Sequence, residues 1–183
     1  AKSNDGGETW IDASNGIEGT SPFISKLANS SSNPHKLFTV TSLGVYRSEN
    51  FGDTWELTPI NQNWGFSSFL DVEVSKSDYN VIWAGSGMSA VQKVHVSTDG
   101  GNSFEETTNY NLAELGNLSG MATHPYQDST AYVLFSFFEG PKILRTEDLG
   151  QTWEDISGFG AGSTSTNGFP DVAVLSPLVQ LKL

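Results

Sequence analysis

An all-β fold of repeated four-stranded antiparallel units is what this 183-residue sequence predicts. Three observations carry the prediction. An eight-residue pattern recurs four times at near-constant spacing. Short runs rich in β-branched and aromatic residues, bounded by turn residues, fill the intervals between copies. No helical periodicity competes over any long window.

The octets are Ser3-Asn4-Asp5-Gly6-Gly7-Glu8-Thr9-Trp10, Ser48-Glu49-Asn50-Phe51-Gly52-Asp53-Thr54-Trp55, Ser97-Thr98-Asp99-Gly100-Gly101-Asn102-Ser103-Phe104 and Thr146-Glu147-Asp148-Leu149-Gly150-Gln151-Thr152-Trp153. They start at positions 3, 48, 97 and 146, which are 45, 49 and 49 residues apart. The side chain of Asp5, Asn50, Asp99 or Asp148 can accept backbone hydrogen bonds two or three residues on, closing a turn. Gly7, Gly52, Gly101 and Gly150 supply a positive φ. Trp10, Trp55, Phe104 and Trp153 each open the next strand and anchor it with a ring in the core. The octet is therefore read as a hairpin turn with an aromatic anchor.

The flanking runs read as strands. Leu37–Thr41 and Gly44–Arg47 precede the second octet. Leu70–Val74, Val81–Gly85 and Lys93–Val96 precede the third, and Ser119–Thr123, Ala131–Phe135 and Ile143–Arg145 precede the fourth. Turn signals at Asn33-Pro34, Ser77–Asn80 and Pro125–Asp128 separate the first two strands of each unit. Four short strands, A to D, with the octet at the C–D turn, in roughly 40–50 residues, is the size of a β-propeller blade. The divisions are a half blade at 1–19, blades at 20–65, 66–115 and 116–169, and the opening of another at 170–183. That is about four blades' worth. Closure as a four-bladed ring would need Leu178–Leu183 to supply a B strand, and the A–B turn signal is missing there. The expectation is a partial propeller whose exposed strand edges pair with the remaining blades of its own protein or with another chain. Ala1–Trp10 already lie inside a repeat unit, so the chain is expected to begin inside the fold, with any targeting segment removed or outside the sequence.

The octets resemble the Asp-box, or bacterial neuraminidase, repeat, over essentially the whole chain. The arrangement is most similar to sortilin-like and xyloglucanase-like arrays; sialidases and a photosystem assembly factor carry related repeats. Asn50 departs from the pattern, keeping the turn without the charge. The resemblance implies a β-propeller with the octets as structural elements on the rim away from the ligand face. It also implies a secreted or cell-surface bacterial protein. Function does not follow from fold alone.

Composition narrows the function classes. With 9 Lys plus Arg against 21 Asp plus Glu, the formal net charge is −12. Such a surface repels phosphate backbones and anionic lipid. The absence of cysteine excludes disulfides and cysteine-ligated metals. No apolar run approaches the roughly 18 residues of a membrane-spanning helix. His35, His95 and His124 show no metal-ligand spacing, so no metal site or cofactor is expected. The Asp-rich turns would suit calcium, but no EF-hand-like loop is present.

A sialidase centre needs an arginine cluster to fork onto the substrate carboxylate. The two arginines, Arg47 and Arg145, both sit just before octets on the far rim, where local ion pairs are expected. A glycosidase needs two carboxylates across a cleft, about 5 Å or roughly 6.5–9.5 Å apart. The candidates on the D–A and B–C loop face are Asp71, Glu114 and Glu139, with Asp171 nearby. Asp71 and Glu73 share a strand face at i, i+2 spacing. Trp64 beside Asn63, and Tyr110 beside Asn111, have the composition of a sugar subsite, with Phe66 near the first. Trp83 reads as core. Gly158–Gly168 reads as a flexible loop, with no phosphate-binding signature. The function expected is non-catalytic binding of protein or glycan through the loop face. The alternative is part of a secreted glycoside hydrolase, xyloglucanase-like rather than sialidase.

Overall fold

The computed structural model describes residues 1–19, 24–60, 70–86, 93–107, 115–136, 140–160, 162–172 and 174. Twelve strands form three four-stranded sheets in simple meander order. The first holds β1 (Ile24–Ser30), β2 (Asn33–Thr41), β3 (Gly44–Ser48) and β4 (Glu56–Leu57). The second holds β5 (Leu70–Val74), β6 (Ile82–Ser86), β7 (Lys93–Ser97) and β8 (Glu105–Thr107). The third holds β9 (Asn117–Thr123), β10 (Ala131–Ser136), β11 (Ile143–Thr146) and β12 (Glu154–Asp155). All pairings are antiparallel. The second, third and fourth octets each fall in the turn between the third and fourth strand of a sheet, as the repeat predicts.

The core lies between the sheets, and strand periodicity explains how. Successive side chains of a strand point to opposite faces. In β6, Ile82 and Ala84 face one way and join Phe38, Val40, Val72 and Val74 between the first and second sheets. Trp83 faces the other way, with Val81 just before the strand, and joins Val94, Met121, Val133 and Leu144 between the second and third. A strand sandwiched in this way is apolar on both faces, which is why Val81–Gly85 reads as an unbroken run. The first strands of successive sheets, β1, β5 and β9, lie side by side. Ser25 Oγ donates to the Leu70 carbonyl from one sheet to the next at 2.6 Å, and Ser119 Oγ donates likewise to the Val174 carbonyl.

Residues 1–19 carry the first octet between two bridged residues. Lys2 and Ile11 exchange backbone hydrogen bonds on either side of the first octet, both 2.9 Å. The segment then crosses the first sheet. There the Trp55 indole donates to the Ala13 carbonyl at 2.8 Å, and Glu18 N–H donates to the Tyr46 hydroxyl at 3.3 Å.

Gly158–Gly168 differs from the flexible loop expected from its composition. Thr166 N–H and Oγ1 both donate to the Gly158 carbonyl, at 2.8 and 3.0 Å. Asn167 Nδ2 reaches the Ile156 carbonyl at 3.0 Å, and Ser165 Oγ the Ser157 carbonyl at 2.7 Å. Asp155 accepts from Ser157, Gly158 and Gly160 backbone N–H groups. The small polar residues that suggested mobility close the loop on itself instead.

Candidate functional site

The octets share one hydrogen-bonded frame. In each, the first-position hydroxyl accepts from the fifth-position glycine N–H at 2.7, 2.8, 2.8 and 2.9 Å. The same hydroxyl donates to the acidic or amide oxygen two residues on. That oxygen accepts from the backbone N–H of the seventh residue, at 2.9, 2.9, 2.9 and 2.8 Å. The main bond therefore reaches four residues on, not two or three; Asp99 also accepts three residues on, from Asn102. These bonds lower the carboxylate pKa. The Thr9 and Ser3 bonds take Asp5 down to about 2. Burial pushes Asp99 up, but the Ser103 and Ser97 bonds outweigh it and take it to about 2. Asp148 is lowered chiefly by the Thr152 hydroxyl.

The aromatic anchors pack against the preceding unit rather than inside their own. Phe104 lies on the core between the first and second sheets. Trp153 stands edge-on to Trp83 of the second sheet, ring centroids 6.0 Å apart at 75°. Trp10 has no described unit before it and is 65% exposed. The pre-octet cations make the local contacts expected of them. Arg47 pairs with Glu49 and Glu56 and reaches the next octet, donating to Gly100 O at 3.1 Å and Asn102 Oδ1 at 2.7 Å. Lys2 pairs with Asp53 of the next octet. Arg145 pairs with Glu147 and Glu154.

The opposite end of each sheet, carrying the D–A and B–C loops, holds the candidate ligand face. Asn63, Trp64, Tyr110, Asn111, Glu114 and Glu139 lie outside the described residues. Asp71 is described and is 7% exposed. Its carboxylate accepts from Lys26 Nζ on β1 at 2.8 Å, from the Met121 N–H on β9 at 2.6 Å and from its neighbour Val72 N–H at 2.9 Å. Glu73 shares the same ammonium at 2.9 Å. Burial raises the pKa of Asp71 and of Glu73, with Lys26 opposing it in both. Burial would lower Lys26, but the Asp71 and Glu73 charges prevail and raise it. One carboxylate thus joins three sheets at their innermost strands.

A second ion pair belongs to the third sheet. The Lys142 side chain is wholly buried, with Asp171 Oδ1 2.7 Å from its ammonium and the Phe159 ring centroid 4.9 Å away. Sequence reasoning missed both lysines as partners. Lys26 lies in a strand with little alternation, and Lys142 is covered only because the 155–171 loop folds back over it. Among the described residues no group of three or more His, Asp or Glu is placed to hold a metal ion.

No protein-family model matches the chain, and no curated protein matches it. Solved structures do. The structure titled YCF48 bound to D1 peptide is 18% identical with a TM-score of 0.56, covering 78% of this chain and 42% of that one. The GH74 enzyme of Niastella koreensis is 16% identical with a TM-score of 0.57, covering 75% of this chain and 23% of that one. The GH74 xyloglucanase of Xanthomonas campestris is 19% identical with a TM-score of 0.51, covering 72% of this chain and 17% of that one. At these identities the likeness speaks to fold alone, and this chain spans less than half the length of each of these structures. All-β, with three four-stranded antiparallel blades and propeller neighbours larger than itself, the chain has the fold of a partial β-propeller.

Proposed function

We propose that this chain is a non-catalytic Asp-box propeller segment of a secreted bacterial protein, binding protein or glycan through its D–A and B–C loop face. The observation that carries the reading is the fate of the described carboxylates at that end. Asp71 is engaged by Lys26 and two backbone N–H groups, Asp155 by its own loop, and Asp171 by Lys142. Carboxylates tied into the frame are poor proton donors to a sugar, whereas a rigid frame suits presentation of binding loops. Trp64 and Tyr110 with Asn63 and Asn111 are the residues assigned to the ligand. Exposed Trp10, Ile24 and Leu27 are assigned to contact with further blades, of the same protein or of another chain. The described neighbour YCF48, bound to a peptide, supports a binding role on this fold.

The second reading, a glycoside hydrolase, is favoured by the GH74 neighbours. A panel of plant and algal polysaccharides, assayed for reducing ends and for binding, separates the two. Binding without hydrolysis, weakened by Trp64→Ala or Tyr110→Ala, is the expected result. Hydrolysis that Asp71→Asn or Glu114→Gln abolishes sinks the binding-only reading.

A further inference from the structure

The turns between first and second strands converge on the octet side of the molecule, away from the ligand face described above. They surround an open groove of about 850 Å³ lined by Asn29, Ser31, Lys76, Ser77, Pro125 and Tyr126, two residues at each of the three turns. The volume falls within the roughly 300–1,000 Å³ of small-molecule sites.

Each turn satisfies its own backbone in the same way. Ser32 N–H donates to Ser30 Oγ at 3.4 Å, Ser77 N–H to Ser75 Oγ at 3.3 Å, and Tyr126 N–H to His124 Nδ1 at 3.3 Å. What the turns present outward is therefore side chain. Tyr126 is 74% exposed, and its ring is held edge-on to His124, centroids 6.5 Å apart at 69°. Among the described residues, no hydrogen bond engages the Asn29 amide, the Ser31 hydroxyl or the Tyr126 phenol, and the Lys76 ammonium feels the charge of Glu73 without a direct ion pair. Pro125 stiffens the wall that carries Tyr126.

We propose that this groove is a second binding site, for a polysaccharide carrying uronate units. An oriented aromatic face suits the C–H face of a sugar ring. The amide and hydroxyls suit its hydroxyl edge, and Lys76 suits a carboxylate. No carboxylate lines the groove, in a chain whose formal net charge is −12, so an anionic ligand meets no like charge on its walls. The groove is open rather than enclosed, which fits a chain lying across three turns. An acidic peptide would satisfy Lys76 alone.

The test is calorimetric titration of the full chain with oligogalacturonate and alginate oligomers, beside neutral xyloglucan oligosaccharide and poly-glutamate. Uronate oligomers are expected to bind. Tyr126→Ala should weaken them roughly three- to tenfold, with Tyr126→Phe retaining most of the affinity. Lys76→Gln should weaken them roughly threefold and remove most of the salt dependence. Both residues are exposed, so an unchanged urea midpoint is expected of every variant. The proposal is overturned by no uronate binding at millimolar concentration. It is equally overturned by tighter binding of xyloglucan or poly-glutamate, or by affinity that neither Tyr126→Ala nor Lys76→Gln alters.

Discussion

In three octets a seventh-position hydroxyl donates to an aspartate, at 2.5, 2.6 and 2.6 Å; in the second, the Asn50 amide donates to the Thr54 hydroxyl at 2.8 Å. The frame tolerates either direction, because the backbone bond to the remaining oxygen is the same. Asp99→Asn is therefore expected to cost well under 1 kcal/mol, and Asp99→Ala about 1–2 kcal/mol through the lost turn bonds. Urea unfolding measures both. The carboxylates add a pH signature. Their folded pKa values lie below the ordinary aspartate value, at about 2 for Asp5 and Asp99. Their contribution is complete above the unfolded value and lost as pH falls from about 4 through about 2. Asp99→Asn should flatten part of that acid limb. These turn roles are legible in the sequence because each bond joins residues within one octet. The fourth position is less so: it is left-handed in all four copies, with φ of 73° and 76° at Gly6 and Gly100 but 59° and 58° at Phe51 and Leu149. Phe and Leu give no hint of that conformation, since their side chains normally avoid it.

At the scale of the strand and turn, contact with the preceding unit sorts apparently equivalent residues. A Cβ on Gly150 would stand 2.4 Å from Thr107 Cγ2, and one on Gly101 2.8 Å from the Phe38 ring, whereas one on Gly7 would meet only Trp10, at 4.0 Å. All three have positive φ. Gly7→Ala is thus expected to cost about 1–2 kcal/mol from backbone strain alone, and Gly150→Ala roughly 1–3 kcal/mol more from overpacking. Thermal midpoints of the two variants compare them directly; equal losses would contradict the packing account. Strands of five or more residues with apolar faces stand in the sequence within one or two residues of their observed ends, apart from β2, which starts four residues earlier, at Asn33. β1 does not, because its exposed and buried residues do not alternate cleanly. The fourth strands β4, β8 and β12 are only two or three residues long and carry no period of their own; the octets betray them. Which neighbour each anchor ring packs on is hidden for a related reason: sequence shows which residues want burial, and only the stacking of units shows against what.

Across the whole molecule, Lys26, Asp71, Glu73 and the Met121 N–H join three sheets at their inner strands. That Asp71 and Glu73 share a face is legible from their spacing; that a lysine 45 residues earlier meets Asp71 is not, since nothing local links β1 to β5. Lys26→Met would leave buried Asp71 and half-buried Glu73 without the ammonium they share and is expected to cost about 2–4 kcal/mol at neutral pH. Both carboxylates already have raised pKa values. As pH falls through those values they take up protons, and the penalty of the variant should shrink. Chemical unfolding of both proteins at pH 7 and pH 5 checks the sign; a penalty that grows on acidification would refute it. The seating of each aromatic anchor on the unit before it has a longer reach. Both junctions between the described sheets share the same parts: a ring and a glycine from the later unit set on buried side chains of the earlier one, with Arg47 adding a cation at the first. A duplicated or deleted segment of one full repeat would recreate those parts on both sides of the new join. Ring size in such a chain can change by whole-unit recombination without inventing a new interface, so lineages bearing it are free to gain or lose blades while every join stays sealed.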